Sequence, residues 1–398
     1  MDCSSWMFGA KVACGALVLA CGGSPAGGGT GVEGTAEDTA GSSTASPGDS
    51  SSTHADSSTS AVGSATSESS GAGSSSSDGG STGGTPVDPG CPECIVLVDD
   101  LDDGRGIAVD ATHVYYTDSG AGTIARVPTG GGAIEVLATG RDTPYDVAAD
   151  GAWVYWTEFV AGGVVARAPA AGGAVELFED AGDHPRALAV DATHVYWTTF
   201  GSDSGGVWRA ALSGGAPQQL LGATAGIAEI VLDADNVYVT SHDPDPTMGG
   251  VTFIEPPPRE PAVGALVSVP LAGDPDGMAT QLLALGLAQP WGLAKVGDAF
   301  FWADGDGASD NHANTVMALA AAGQSANAIA ADQTAPWGVA ADQAAVYWTD
   351  STEVKTVPHA GGEPQVLATM QNAARSIAVD RAAVYWITKD RVLQRPKP

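Results

Sequence analysis

Seven positions, spread over most of the last three-quarters of the chain, carry an unusual set of side chains. Each position lies ten residues before the Tyr or Phe of a recurring phrase. Successive positions are separated by 40, 41, 42, 63, 46 and 38 residues. Arg, Tyr and Trp are the residue types enriched at binding hot spots. Such a set can stack on a sugar or aromatic ring, or hold a carboxylate through paired Arg hydrogen bonds. The seven residues are Arg105, Tyr145, Arg186, Ala228, Trp291, Trp337 and Arg375.

The competing interpretation is that these side chains fill a central channel and pair with acidic neighbours. Asp103, Asp142 and Asp183 lie close before three of the seven positions. Both interpretations bring the same side chains together. They differ in whether a ligand or the chain itself supplies the partners.

No residue pattern in the sequence is typical of catalysis. The sequence shows no Ser/His/Asp order, no paired His motif and no Gly-rich phosphate loop. His113 and His194 occupy one equivalent repeat position, which favours a structural role. His184 and His312 break the repeat, but neither has an evident partner.

One loop offers oxygen ligands for a cation through Asp304, Asp306 and Asp310. Its Asp/Gly spacing is similar to that of a calcium loop, although it lacks the fifth-position oxygen and the terminal Glu of an EF-hand. A hydrated turn is the favoured interpretation, and bound Ca²⁺ is the alternative. No other cofactor is predicted.

Cys91 and Cys94 form a Cys-x-x-Cys pair, which can be a redox centre, half of a zinc site or a local disulfide. A strand-like run follows the pair, whereas a redox thiol needs a helix N-terminus. No second Cys pair completes a tetrahedral zinc site. A disulfide at the start of the folded region is therefore predicted.

These residues are carried by a repeat of one phrase, seen clearly in Ile107–Asp118 and Leu188–Thr199. Two further β-type runs and a Gly-rich turn follow each copy, and no amphipathic helix is present. Neighbouring Tyr and Trp residues point to opposite faces of a strand, so both faces must be buried. Radially packed four-stranded sheets meet that need, which predicts an all-β propeller.

Seven copies predict seven blades, with six as the alternative if the weak copy at 230–240 is absorbed elsewhere. The run Ile95–Leu101 is typical of an outermost strand without a blade of its own. It is predicted to complete the last blade and close the ring.

Tyr347-Trp348-Thr349-Asp350 matches the tetrapeptide that names the YWTD propellers, and 155–158 and 196–199 nearly match it. The chain resembles the YWTD, NHL and lactonase-like propeller group, in an exported bacterial version. The resemblance implies a fold and leaves function open, since this fold hosts many activities. YWTD propellers have six blades, one fewer than the copies counted here.

Residues 1–20 are predicted to be a lipoprotein-type signal peptide. Lys11 precedes an apolar run, 12–20, that is too short to span a bilayer. The sequence 18–21 resembles the bacterial lipobox, in which Cys21 is lipidated; a plain secretory signal is the alternative. Translation from Met1 or from Met7 fits this interpretation.

Residues 21–90 form a predicted disordered spacer, because from Gly22 to Gly90 they contain no Lys, Arg or aromatic residue. Gly22 favours the outer membrane over the inner membrane. The net charge of −31 argues against nucleic acid and anionic lipid surfaces. Membrane contact is therefore expected only through the lipid anchor.

Residues 91–398 are the predicted propeller domain, acting as a monomeric binding module without catalysis. Its partner would be a protein, a glycan or a small ligand of unknown identity. The alternative is a lactonase- or lyase-like enzyme that depends on a divalent metal in the channel.

Overall fold

The computed structural model describes residues 88–178, 181–200, 205–222, 225–243, 264–274, 279–305 and 314–398. Cys21, the predicted signal peptide and nearly all of the spacer lie outside the described residues, as do Asp306, Asp310 and His312. Within the described ranges the chain forms strands and turns, and none of it is a helix able to cross a membrane.

Twenty-eight strands occur in these ranges. The first is β1 (Ile95–Val98). Blade 1 contains β2 (Gly104–Val109), β3 (His113–Asp118), β4 (Thr123–Pro128) and β5 (Glu135–Ala138). Blade 2 contains β6 (Pro144–Ala149), β7 (Trp153–Glu158), β8 (Val165–Pro169) and β9 (Glu176–Phe178). Blade 3 contains β10 (Pro185–Val190), β11 (His194–Thr199), β12 (Gly206–Ala211) and β13 (Gln218–Leu221). Blades 4 and 5 contain β14 (Ala225–Leu232), β15 (Asn236–Asp243), β16 (Gly264–Pro270), β17 (Gln281–Leu287); and β18 (Pro290–Val296), β19 (Ala299–Asp304), β20 (Thr315–Leu319), β21 (Asn327–Ala330). Blades 6 and 7 contain β22 (Val339–Ala341), β23 (Ala345–Thr349), β24 (Val354–Pro358), β25 (Gln365–Ala368); and β26 (Ile377–Val379), β27 (Ala383–Ile387), β28 (Val392–Pro396).

Seven four-stranded antiparallel sheets result, and the first strands of successive blades lie side by side around the axis. The last sheet has the order β1-β28-β27-β26, with Ile95 opposite Gln394 and Val96 opposite Leu393. The predictions of a propeller, of seven blades and of closure by the N-terminal strand are confirmed. The six-blade alternative is wrong, because β14 to β17 form a complete blade.

The paired aromatic residues explain why the sheets pack radially. Tyr155 and Trp156 are both fully buried. Tyr115 of blade 1 shares a core cluster with Trp156 of blade 2, and Tyr155 shares one with Trp197 of blade 3. Each blade thus covers its neighbour on both sides, and truncating one such Trp to Ala would cost about 3–5 kcal/mol.

An Asp that recurs after the first strand of six blades has a structural role. Asp150 accepts the amides of Ala152 and Trp153 at 2.9 and 2.7 Å, and the Tyr155 hydroxyl at 2.9 Å. Burial, and then this hydrogen bond, raise the pKa of Tyr155. Six blades make the Tyr-to-Asp bond, between Tyr115 and Asp110, Tyr155 and Asp150, Tyr196 and Asp191, Tyr238 and Asp233, Tyr347 and Asp342, and Tyr385 and Asp380.

Cys91 and Cys94 form a disulfide bond. Both are buried in a cluster that includes Trp386 and Leu393 of the last blade. The cross-link therefore lies next to the strand that closes the ring.

Candidate functional site

The seven positions at the start of the first strands converge on one cavity at the axis of the ring. Its volume is about 60 Å³. That space accommodates a few water molecules or one group of a ligand, and not a whole drug-sized molecule. We call these seven residues the mouth ring: Arg105, Tyr145, Arg186, Ala228, Trp291, Trp337 and Arg375.

Threonines of the repeated phrase hold the mouth ring in position. The Thr117 hydroxyl accepts the Gly106 amide at 2.8 Å and donates to the Tyr145 carbonyl of the next blade at 3.0 Å. Thr157 donates in the same way to the Arg186 carbonyl at 2.6 Å. A Cβ on Gly106 would lie 2.7 Å from the Tyr145 carbonyl oxygen, so only glycine permits this approach of the blades.

Two of the three mouth-ring arginines are paired internally. Arg105 and Arg375 each lie 2.8 Å from a different oxygen of Asp103. Burial alone would raise the pKa of Asp103, but the hydrogen bonds from Arg375 and Arg105 hold that pKa below its usual value. Asp142 and Asp183 form no ion pair with a mouth-ring Arg within the described ranges. The channel-filling interpretation therefore applies to Arg105 and Arg375.

Arg186 differs from the other two. Its side chain is buried, with 6% exposed, and its guanidinium carbon lies 4.7 Å from the ring centres of Phe200 and Trp291. Tyr145 lies 5.6 Å away on the other side. The equivalent residue of blade 4 is the short Ala228, which leaves room for Arg186 to reach Trp291. Arg186 lines the cavity, and among the described residues no carboxylate forms an ion pair with it.

Aromatic rings extend from blade 2 to blade 6 around Arg186. Trp291 and Trp337 stack at 4.6 Å with their planes 12° apart, and His242 meets Trp291 edge-on at 3.9 Å. Trp337 is 40% exposed, so the arc ends on a ring open to solvent. The aromatic arc comprises Tyr145, Phe159, Phe200, His242, Trp291 and Trp337.

The sequence interpretation missed three members of this arc. Phe159, Phe200 and His242 each lie four residues after the Tyr of the repeated phrase, so reading the repeat at that offset would have found them. Burial lowers the pKa of His242 to about 4, and the positive charge of the nearby Arg186 guanidinium lowers it further. A backbone hydrogen bond at Pro290 acts in the opposite direction, but its effect is smaller. At neutral pH His242 is therefore uncharged.

The predicted cation loop is only partly described. Asp304 is buried, and its Oδ1 accepts the amides of Ala288 and Gln289 at 2.8 and 3.1 Å. Asp118 fixes the corresponding loop of blade 1 in the same way. In the part of the chain that the structure describes, no three His, Cys, Asp or Glu side chains are grouped to hold a metal. Calcium binding through Asp306 and Asp310 stays a prediction.

No protein-family model matches the sequence, and no curated protein matches it significantly. Solved structures do match its fold. Virginiamycin B lyase from Staphylococcus aureus aligns at 13% identity over 77% of this chain and 98% of its own, with a TM-score of 0.59. Hydrazine synthase of Kuenenia stuttgartiensis aligns at 12% identity over 76% and 97%, with a TM-score of 0.58.

The WD40 propeller domain of Doa1 aligns at 12% identity over 75% of this chain and 94% of its own, with a TM-score of 0.56. Similarity at such low identity is one of fold. The chain is a seven-bladed β-propeller, and its predicted resemblance to the propeller group is confirmed at that level.

Proposed function

We propose that this chain is a binding protein of the bacterial cell envelope, whose propeller takes a ligand at the mouth ring. The ligand would present an anionic group to Arg186 and a flat ring or sugar face to Trp337. The observation that carries this proposal is the Arg186 guanidinium, which lines the cavity among aromatic rings without an ion pair in the described ranges. A buried charge is costly unless it gains a partner, and a ligand carboxylate supplies one.

A screen of acidic glycans, aromatic carboxylates and metabolites against the purified protein, with and without Ca²⁺, tests the proposal. Trp337→Ala should weaken binding of a hit about tenfold, because a stacking face is lost. Arg186→Gln should weaken it by about tenfold to a hundredfold, because a charge-assisted hydrogen bond is lost. Trp153→Ala, at the opposite ends of the strands, is the matched control and should bind as the wild type does.

Circular dichroism of each variant separates loss of the site from loss of the fold. If a Trp291→Ala, Trp337→Ala double variant stays folded and binds the hit with unchanged affinity, the mouth ring is not the site.

Attachment to the envelope rests on the sequence of residues 1–21. Cys21 would carry the lipid, and the spacer would hold the propeller away from the outer membrane. Metabolic labelling with a radioactive fatty acid should mark the wild-type protein and leave Cys21→Ser unlabelled. Labelling of both proteins, or of neither, would contradict lipidation at Cys21.

A metal-dependent lyase- or lactonase-like enzyme is the second candidate, and the fold similarity to virginiamycin B lyase favours it. That function requires a divalent ion in the channel. Elemental analysis after dialysis separates the two candidates, because a folded protein that retains no divalent metal would exclude a tightly held catalytic ion.

A further inference from the structure

A second cavity, of about 300 Å³, lies between blades 4 and 5, at the strand ends opposite the mouth ring. Ser268 and Gln281 line it from the third and fourth strands of blade 4. Asp298 and Phe300 line it from the first hairpin of blade 5, and Ala321 from the turn after β20. We call this cavity the blade 4–5 groove.

In blade 3 the equivalent groove is filled by the chain's own Arg209. Arg209 stands between Tyr196 and Gln218 in the register of the sheet. Its Nε and Nη2 donate to Gln218 Oε1 at 3.1 and 2.7 Å. Its Nη1 donates to the Leu271 carbonyl of blade 4. The guanidinium thus joins two blades.

Blade 2 repeats the arrangement with Arg167. Its Nε and Nη2 donate to Glu176 Oε2 at 2.9 and 2.7 Å, and its Nη1 donates to the Leu212 carbonyl of blade 3 at 2.9 Å. The guanidinium carbon lies 4.3 Å from the ring centre of Trp153. Acceptors on both blades therefore define a guanidinium site in this fold, and Trp153 adds an aromatic wall to it in blade 2.

Blade 4 keeps the acceptors and lacks the arginine. Ser268 stands opposite Tyr238 and next to Gln281, where blade 3 has Arg209. Ala321 follows the third strand of blade 5 at the place where Leu271 follows that of blade 4. The short Ser268 side chain leaves open the space that a guanidinium fills in blades 2 and 3.

The charges around the blade 4–5 groove suit a cation. Lys295 also lines the groove, and its ammonium lies 5.2 and 5.5 Å from the ring centres of Tyr238 and Phe300. That ammonium is held 3.0 Å from Asp233 and donates to the Gly297 carbonyl at 2.6 Å. Asp298 also lines the groove, and within the described ranges it forms no ion pair. The corresponding hairpins beside the Arg167 and Arg209 guanidinium groups carry Thr193 and Asp235.

We propose that the blade 4–5 groove binds a guanidinium group, carried by a small molecule or by an arginine of another polypeptide. The group donates hydrogen bonds to Gln281 Oε1 and to the Ala321 carbonyl, whose other lone pair accepts the Gln324 amide at 3.2 Å. Asp298 is its counterion. The site is separate from the mouth ring and does not depend on it.

Titration of the purified protein with agmatine, and with a capped Gly-Arg-Gly peptide, tests the proposal by calorimetry and NMR. The matching citrulline peptide replaces the guanidinium by a neutral urea and should bind about tenfold more weakly, because charge assistance is lost. Binding of agmatine alone assigns the site to small molecules, whereas binding of the peptide alone assigns it to a polypeptide. No saturable binding of either probe at millimolar concentration overturns the proposal.

Ser268→Arg is the decisive variant, because it restores the side chain of the sister blades and fills the groove from within. It should fold, since blades 2 and 3 carry Arg at this position, and it should no longer bind the probes. Gln281→Ala should weaken binding about tenfold through the lost acceptor. Gln365→Ala, the equivalent change in blade 6, should leave it unchanged. Unaltered affinity in a folded Ser268→Arg protein, or equal binding of the citrulline peptide, would show that the groove does not recognise guanidinium.

Discussion

Blades 1 to 3 and blades 4 and 5 share one four-stranded plan but differ in the side chains that join them. The first three keep the Asp turn, the Tyr hydroxyl, the Thr of the repeated phrase and an Arg on the third strand. In blades 2 and 3 that Arg also donates to a carbonyl of the next blade. Blade 4 has Ala228 at the mouth and Ser268 in the groove. Blade 5 has Val296, Phe301 and Ala303 where blades 1 to 4 have Asp, Tyr and Thr.

The difference teaches that the fold tolerates the loss of these bonds in individual copies, because Trp302 and Phe301 still fill the blade interfaces. The omitted side chains open space. Ala228 lets Arg186 reach Trp291, and Ser268 opens the blade 4–5 groove. Regular copies hold the ring together, and divergent copies open space at the mouth ring and in the blade 4–5 groove.

The largest expected contrast concerns the threonine link. In blade 2, Thr157 joins the Asp146 amide to the Arg186 carbonyl. In blade 4, the buried Thr240 hydroxyl has no hydrogen-bond partner among the described residues. Thr157→Val should lower the free energy of unfolding by about 1–3 kcal/mol, because two buried backbone groups lose their partner. Thr240→Val should change it by less than about 0.5 kcal/mol or raise it.

Urea denaturation with both variants measures this contrast, provided that the slopes agree with that of the wild type. An equal cost at both positions would mean that the threonine link is not what distinguishes the regular blades.

The second contrast concerns the tyrosine hydroxyl. Tyr155→Phe removes a 2.9 Å bond to Asp150 and should cost about 1 kcal/mol. Tyr238→Phe should cost less, because Asp233 also pairs with Lys295 at 3.0 Å and keeps a partner. Thermal unfolding of the two variants checks the order, and a larger loss for Tyr238→Phe would reverse it.

The third contrast concerns His242 of blade 4, which stands where blade 3 has Phe200. Its effect on the free energy of unfolding is the smallest of the three at neutral pH and increases as the pH is lowered. Burial lowers the pKa of His242 to about 4 in the folded chain, from an ordinary value of 6.5. Between pH 4 and pH 6.5 the unfolded chain binds more protons than the folded chain. The contribution of His242 to the free energy of unfolding is therefore fully present above pH 6.5 and is lost toward pH 4, by at most about 1.4 kcal/mol per pH unit. His242→Phe should flatten the stability curve in this window.

Unfolding free energies measured from pH 7 to pH 4 provide the comparison. Contributions of other groups, such as His194, are common to both proteins and cancel. Parallel curves for wild type and His242→Phe would contradict the assignment of a neutral, buried imidazole.

Much of the propeller was predictable, because its signal lies within single repeats. Val-Tyr-Trp runs such as Val154–Trp156 show that both faces of a strand are covered, and the spacing counts the blades. The mouth ring was predictable for the same reason, since one offset in a closed repeat falls at one height around the axis. The chemistry of the mouth ring was less predictable. The sequence indicated Asp103 as a partner of one arginine, but it did not show that Arg105 and Arg375 share this carboxylate.

The blade 4–5 groove was missed because it joins residues of different repeats. Phe159, Phe200 and His242 of the aromatic arc stand at another offset of the repeat than the mouth ring, and their contacts cross from one blade to the next. Ser268 is an ordinary serine until the sheet register places it where blade 3 has Arg209. His242 gains its role from Trp291, which belongs to the next blade.

Local pattern and chain order therefore account for the blade count, the closing strand at Ile95 and the positions that surround the axis. These properties follow from side-chain periodicity and from repeat length, which the linear chain already contains. Contacts between blades decide which mouth-ring arginines are paired, which one has no ion pair among the described residues, and which groove is left unfilled. Such contacts are set by distances of a few ångströms across an interface, and they arise only when the ring closes.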